Sequence, residues 1–338
     1  MQNPLPLIID TDNAFGIPVR DIDDGVALAM AFASEDVAVK GIVASACNCR
    51  ALEAAQCTRA MLEVFGRTEI PLGLGSETPM GESREPHHLY LEKRTEELGA
   101  TYWPKEFEPC DTGALVDGPE LMISLLKESP EPVTLLCLGS FTNLAMALAK
   151  APDVAANIAS VVHLGGSFTP KPGEQAFVWE PADHTQGAFD NILHFNTWYD
   201  RKATARVIES GVPLTFISAN VTCHFFLRPE HLKQLHEVGA GPIKSWLLGG
   251  MDPWMAWSME RRKLCGSHMH DPLALQAVLE PELLTYRRMA ADVDGFLSGG
   301  ELLVDAGLAS GPHVKVAVDV DYSRAESMMV SLLEKAMA

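Results

Sequence analysis

Residues 7–34 of the chain read LIIDTDNAFGIPVRDIDDGVALAMAFAS, and this stretch decides the fold. Leu7, Ile8 and Ile9 have the character of a buried strand end, whereas Val26 to Phe32 lacks any polar residue and predicts the start of a helix packed against a sheet. Between the two runs stand Asp10, Asp12, Asp21, Asp23 and Asp24. On an extended strand end alternate side chains share a direction, so Asp10 and Asp12 are expected to point the same way, with Thr11 on the other face. Asp23 and Asp24 fall in the first helical turn, where free amides and the helix dipole favour negative charge. Any one of these aspartates is explained by capping. Together, at the carboxyl end of a strand, they would repel one another unless a cation or a shared proton lay among them. An all-oxygen donor set suits a hard ion, Ca²⁺ or Mg²⁺.

Outward from this stretch the pattern alternates. Val37 to Ser45 is a β-branched run that leads to Asn48, Leu52 to Phe65 carries apolar residues at helical spacing, and Ile70 to Leu74 is a short third strand. A βαβαβ opening implies right-handed crossovers, a parallel sheet and a ligand crevice at the strands' carboxyl ends. Further on, Val133 to Leu138 reads as a strand, Gly139 to Asn143 as a turn opening a helix at Leu144, and Leu193 to Trp198 as a short ordered segment leading to Asp200. Ile243 to Arg262 reads as a helix bearing Trp246, Trp254 and Trp257, for which core packing and stacking on a planar ligand both remain open. His270 and Asp271 stand just ahead of a helix expected from Leu273, and an amphipathic helix, Arg324 to Met337, closes the chain. Two regions, 75–118 and 168–191, look irregular and read as site lids or as solvated loops, the first holding a short Glu-rich helical piece between Pro86-His87-His88 and Tyr102-Trp103-Pro104, the second Trp179, His184 and Asp190.

Composition narrows the function. A formal net charge of −19 argues against nucleic acid as a partner and against a strongly anionic ligand, though it says nothing local about a site that carries its own cation. No apolar stretch reaches membrane-span length, and the chain enters its first strand at once, so neither a membrane anchor nor a secretory signal is expected. The seven cysteines follow no repeated spacing, which fits reduced thiols in a cytoplasmic protein. Without repeats or a Ser/Gly-rich linker, residues 1–338 are expected to form a single domain.

In order along the chain, Asp-x-Asp, an Asp-Asp pair at a helix start, a strand leading to Asn48, Gly139-x-x-Thr-Asn143, Phe195-Asn196 before Asp200, and His270-Asp271-Pro272 resemble the inosine-uridine preferring nucleoside hydrolase family. The similarity spans essentially the whole chain. It implies an α/β fold with an open, mostly parallel, Rossmann-like sheet and helices on both faces, a bound Ca²⁺, and hydrolysis of a ribonucleoside to ribose and free base. By position it implies Asp12 as metal ligand and general base, Asp24, Asp271 and the Leu138 carbonyl as further ligands, and Asp23, Asn48 and Asn196 at the ribose hydroxyls. His270 would stand near the leaving base, and a homodimer or homotetramer in nucleoside salvage would be expected.

Two departures stand out. The spacer between Asp-x-Asp and the Asp pair is lengthened to Asn13 through Ile22, a loop able to cover the site. His194 occupies the position of a sugar-binding glutamate, which suggests a modified 5′ side or a shifted sugar. Two rival expectations follow: a nucleoside-binding or sensing protein that has lost turnover, and a haloacid dehalogenase-type phosphatase with Asp10 as nucleophile. The phosphatase leaves Asp23-Asp24 and His270-Asp271 unexplained.

Overall fold

The computed structural model describes residues 3–103, 108–169, 195–305, 307 and 311–338. Its strands are β1 (Leu5–Thr11), β2 (Val37–Ala44), β3 (Leu72–Leu74), β4 (Val116–Asp117), β5 (Val133–Cys137), β6 (Ile158–Leu164), β7 (Leu214–Ile217), β8 (Phe226–Leu227), β9 (Ser267–His268), β10 (Leu284–Ala291), β11 (Leu303–Asp305) and β12 (His313–Val320). The helices are α1 (Asp23–Ala33), α2 (Ala51–Val64), α3 (Glu85–Tyr102), α4 (Gly118–Glu128), α5 (Thr142–Lys150), α6 (Phe195–Tyr199), α7 (Arg201–Glu209), α8 (Ala219–Thr222), α9 (Pro229–Glu237), α10 (Pro242–Glu260), α11 (His270–Leu279), α12 (Val293–Leu297) and α13 (Tyr322–Met337).

β1 is buried along all but its first residue, as its unbroken apolar run requires, and it lies between β2 and β5, parallel to both. The main sheet runs β11-β10-β12-β7-β6-β5-β1-β2-β3-β4, with only β10 antiparallel to its neighbours β11 and β12. The chain builds outward from β1 through β2 to β4, then returns to β1's other side with β5. The β1–β5 junction is therefore the topological switch point, where the crossovers diverge and leave a crevice beyond the strands' carboxyl ends.

Strand alternation divides the core between the two faces. Leu7, Ile9 and Ile42 pack on one side with residues of α1, α2, α11 and α13, while Ile8, Val43 and Leu135 pack on the other with α4, α5 and α7. Helix α1 is buried from Asp23 to Phe32, which explains its lack of a polar face.

Several expectations need correction. Within 75–118 lies α3, a helix of 18 residues. Its buried positions are His87, His88, Leu91 and Gly99, so the core-facing side lacks the apolar periodicity that would have shown its full length beyond the short helical piece expected. Helix α11 begins at His270, three residues earlier than expected, and so places His270 and Asp271 in its first turn. The Asn13–Ile22 spacer is packed rather than loose: Ala14, Phe15, Ile17, Val19 and Arg20 are all buried, and Val19 and Asp21 line the crevice at the site. Phe15 stacks on Trp246 of α10 with ring centroids 4.4 Å apart. This fit depends on Gly25 and Gly250, where a Cβ would stand 2.4 Å from the Phe15 ring. Thr95 of α3 donates to the Pro18 carbonyl at 2.9 Å, which ties the spacer under that helix. Within the spacer Val19 takes φ 61°, strained for a β-branched residue. The second irregular region beyond residue 169, with Trp179, His184 and Asp190, lies outside the described residues, and so does His194 in the segment that follows it.

Candidate active site

The crevice at the switch point gathers Asp12, Asp23, Asp24, Asn48, Leu138, Asn196, His270 and Asp271, every site residue expected from the sequence except His194. Their elements converge because the loops after β1, β2, β5 and β6 open at one edge, and the N-termini of α1 and α11 meet there. One oxygen from each of Asp23, Asp24 and Asp271 lies within 4.8 Å of the other two. The Asp271 amide donates to Asp23 Oδ2 at 3.2 Å, and Thr11 donates to Asp24. Two helix dipoles thus act on the same carboxylates. Asp12 stands beside this trio and feels the charge of Asp24. Its Oδ2 accepts the Asn48 amide at 2.7 Å. A Cβ on Gly139 would stand 2.9 Å from Asp12 Oδ1, so the turn after β5 needs glycine there.

All four carboxylates are at most 4 % exposed. Burial, followed by mutual repulsion, pushes Asp12, Asp23 and Asp271 well above the ordinary carboxylate range. Burial pushes Asp24 up to about 6, hydrogen bonds from Thr11 and Asp271 opposing it. Asp10 lies behind them at about 7, raised by burial, and accepts from Asn143 at 3.2 Å. Asp271 Oδ1 is buried without a hydrogen-bond partner. Buried, mutually repelling oxygens with an orphaned acceptor fit a hard divalent cation.

The sugar-side residues are held from several directions. Asn48 Nδ2 donates to the Asp21 carbonyl at 3.1 Å. Asn196 donates to the carbonyls of Leu138 and, at 3.1 Å, Leu164, so one amide bridges the ends of β5 and β6. Helix α6, which carries Asn196, is clamped by Arg84, whose guanidinium donates to the Trp198 carbonyl at 2.7 Å and the Tyr199 carbonyl at 2.9 Å and lies 4.0 Å from the Trp198 ring centroid. The Tyr199 hydroxyl meets His88 Nε2 at 2.8 Å. His270 pairs through Nδ1 with the Thr222 hydroxyl at 2.7 Å, and burial lowers its pKa to about 4, so the ring is neutral at pH 7.

Asp21, named in the sequence only as one of the clustered aspartates, also lines the crevice, as do His87, Leu91, Arg94 and Arg262, which the sequence had not marked as site residues. His87, Leu91 and Arg94 follow the i, i+4, i+7 spacing of one helix face, a signal that becomes visible once α3 is recognised. Trp254 and Trp257 are core residues, each only 3 % exposed, and each also lines the crevice.

A model of the inosine-uridine preferring nucleoside hydrolase family matches residues 7–327. The pyrimidine-specific ribonucleoside hydrolase RihA of Klebsiella pneumoniae subsp. pneumoniae is 28% identical over 322 residues, 94% of each chain. Among solved structures, a purine-preferring ribonucleoside hydrolase from Gardnerella vaginalis shares the fold, with a TM-score of 0.75 at 22% identity over 98% of this chain and 99% of that one. A plant nucleoside hydrolase, PpNRh1, gives 0.74 at 25% identity over 98% and 99%. The Klebsiella and Gardnerella proteins are named for opposite base classes, so similarity alone does not assign the base here. Among the described residues no helix is long and apolar enough to cross a membrane.

Proposed function

The chain belongs to the inosine-uridine preferring nucleoside hydrolase family, and from that premise we propose that it hydrolyses the N-glycosidic bond of a ribonucleoside, or a related N-riboside, to ribose and free base with the help of Ca²⁺. The observation that carries this reading is the meeting of Asp12, Asp23, Asp24 and Asp271 with Asn48, Asn196 and His270 in one crevice at the β1–β5 switch point. Asp12, Asp24, Asp271 and the Leu138 carbonyl would hold the ion. That carbonyl already accepts from Asn196 but keeps a second lone pair. When bound, the cation supplies the positive charge that lets these carboxylates ionise together and lowers the pKa of a nearby water.

In the reaction, water oxygen bonds to C1′ of the sugar, the C1′–N bond breaks, and the electron pair leaves with the base, which takes up a proton. Asp12, oriented by the Asn48 amide, accepts the proton of the attacking water. Asp23, Asn48 and Asn196 hold the ribose hydroxyls, and the surrounding carboxylates stabilise the positive charge that develops on the sugar. His270 acts as a neutral hydrogen-bond donor: with Nδ1 accepting from Thr222, its proton sits on Nε2, available to the departing base.

The test is reducing-sugar release from purine and pyrimidine ribonucleosides, with Ca²⁺ and after chelation, beside Asp12→Asn. Turnover lost in that variant supports the reading. Nucleoside binding without release would favour the sensing protein instead.

A further inference from the structure

The crevice wall formed by α3 and the end of α10 carries the opposite charge from the aspartates. Arg94 and Arg262 both line it, and their guanidinium carbons lie 5.5 Å and 5.6 Å from the Trp257 ring centroid. Trp257 stacks on Trp254 at 4.7 Å, and Trp254 packs on Trp103 at 6.4 Å, so the ring beside both cations has a rigid aromatic backing. Both arginines line the same crevice as His270, the residue that the hydrolase reading sets near the leaving base, so this wall belongs to the base end of the site.

In a chain with 26 basic against 45 acidic residues, Arg94 and Arg262 put two guanidiniums on one patch of crevice wall. A neutral base offers them little in return. A carboxylate matches the planar fork of an arginine, and a flat ring fits beside stacked indoles. We propose that this wall selects N-ribosides whose leaving base is a carboxylated pyrimidine or pyridine, the carboxylate pairing with Arg94 and Arg262 and the ring lying along the Trp254–Trp257 face. The inference rests on the hydrolase reading for the sugar end of the site.

The first test uses unaltered enzyme with Ca²⁺ and compares kcat/KM for orotidine and nicotinic acid riboside with that for orotidine methyl ester, uridine and nicotinamide riboside. At least a 10-fold preference for an acid over its neutral partner is expected, and which acid is preferred identifies the ring. Arg262→Gln and Arg94→Gln, checked for retained melting temperature, should each reduce that preference at least 10-fold, with Arg262→Lys restoring part of it. Equal rates on the acid and its ester overturn the proposal. So do variants that lower kcat/KM on acid and neutral substrates by one factor, since that would mark the arginines as packing or as general support for any leaving base. If no riboside is hydrolysed, the hydrolase reading falls and calorimetry judges the wall alone. Orotate or nicotinate binding at least 10-fold tighter than uracil or nicotinamide, and losing that advantage in Arg262→Gln, would uphold it; equal or absent binding of both sets would overturn it.

Discussion

The floor and the wall of one crevice are built by opposite means. The floor consists of carboxylates borne on the end of β1 and the first turns of α1 and α11, where backbone amides and helix dipoles hold them. The wall consists of long side chains on α3 and α10, placed by aromatic stacking. Chemistry on the sugar needs charges fixed to within fractions of an ångström, which short side chains on helix starts provide. Base choice needs a surface that can change without disturbing the reaction, which side chains on a helix face provide.

The largest expected effect is on the floor. Asp12→Asn should lower kcat on the order of 10³-fold or more, the upper range for loss of a general base, and by the same factor on every substrate. A drop that varied with the base would merge floor and wall into one functional unit. Chelation should likewise abolish turnover, and it should make stability pH-dependent in a characteristic way. In the metal-free protein the carboxylates titrate above their unfolded value of 3.8, Asp24 near 6 and Asp10 near 7. Their stabilisation is fully present below pH 3.8 and is lost as pH rises through those folded values. The gain in melting temperature from Ca²⁺ should therefore grow from pH 5 to pH 7.5. The depressed buried histidines His87 and His163, both near 3, cost stability below pH 6.5 in the loaded and the free forms alike and drop out of the difference. A calcium effect that is flat with pH would separate these carboxylates from the ion.

On the wall, Trp257→Leu should raise KM about 10-fold, by an amount that depends on the base, and leave kcat less affected, consistent with lost stacking. An equal kcat loss on all bases would show that the wall also positions the sugar. The smallest effect concerns the spacer that joins the two regions. Gly250→Ala would drive a methyl into the Phe15 ring and should destabilise by about 1–3 kcal/mol, with Phe15→Leu recovering part of it in a double-mutant cycle by denaturant unfolding. Full additivity would show that Phe15 is not what limits the approach of α10.

Legibility in the sequence followed the same division. Asp12, Asp23 and Asp24 stood out because a strand end and a helix start are adjacent in the chain, and His270-Asp271 because a proline marks a helix start. Helix α3 was legible only as a short Glu-rich helical piece because polar histidines fill its buried positions, each paired with a distant group: His87 with the Cys47 carbonyl at 3.1 Å and His88 with the Tyr199 hydroxyl at 2.8 Å. With the buried face of α3 unread, Arg94 had no face to belong to, and Arg262, just past the end of α10, carried no local signal. The strands β10 and β11 were also missed; β10 pairs antiparallel at the sheet's far side and adds nothing to the crevice.

By itself the sequence determined the α/β alternation, the parallel sheet, the crevice at its carboxyl edge and the acidic floor, because each follows from hydrophobic period and from residues close in the chain. Only the tertiary structure decided that the lengthened spacer packs down between α1, α3 and α10 while Val19 and Asp21 reach the crevice. It alone brought Arg94 and Arg262 to one aromatic wall. The physical reason is that these placements depend on contacts between residues far apart in the chain, where a ring fills the space above two glycines and a guanidinium settles on an indole, and neither leaves a periodic trace in the sequence.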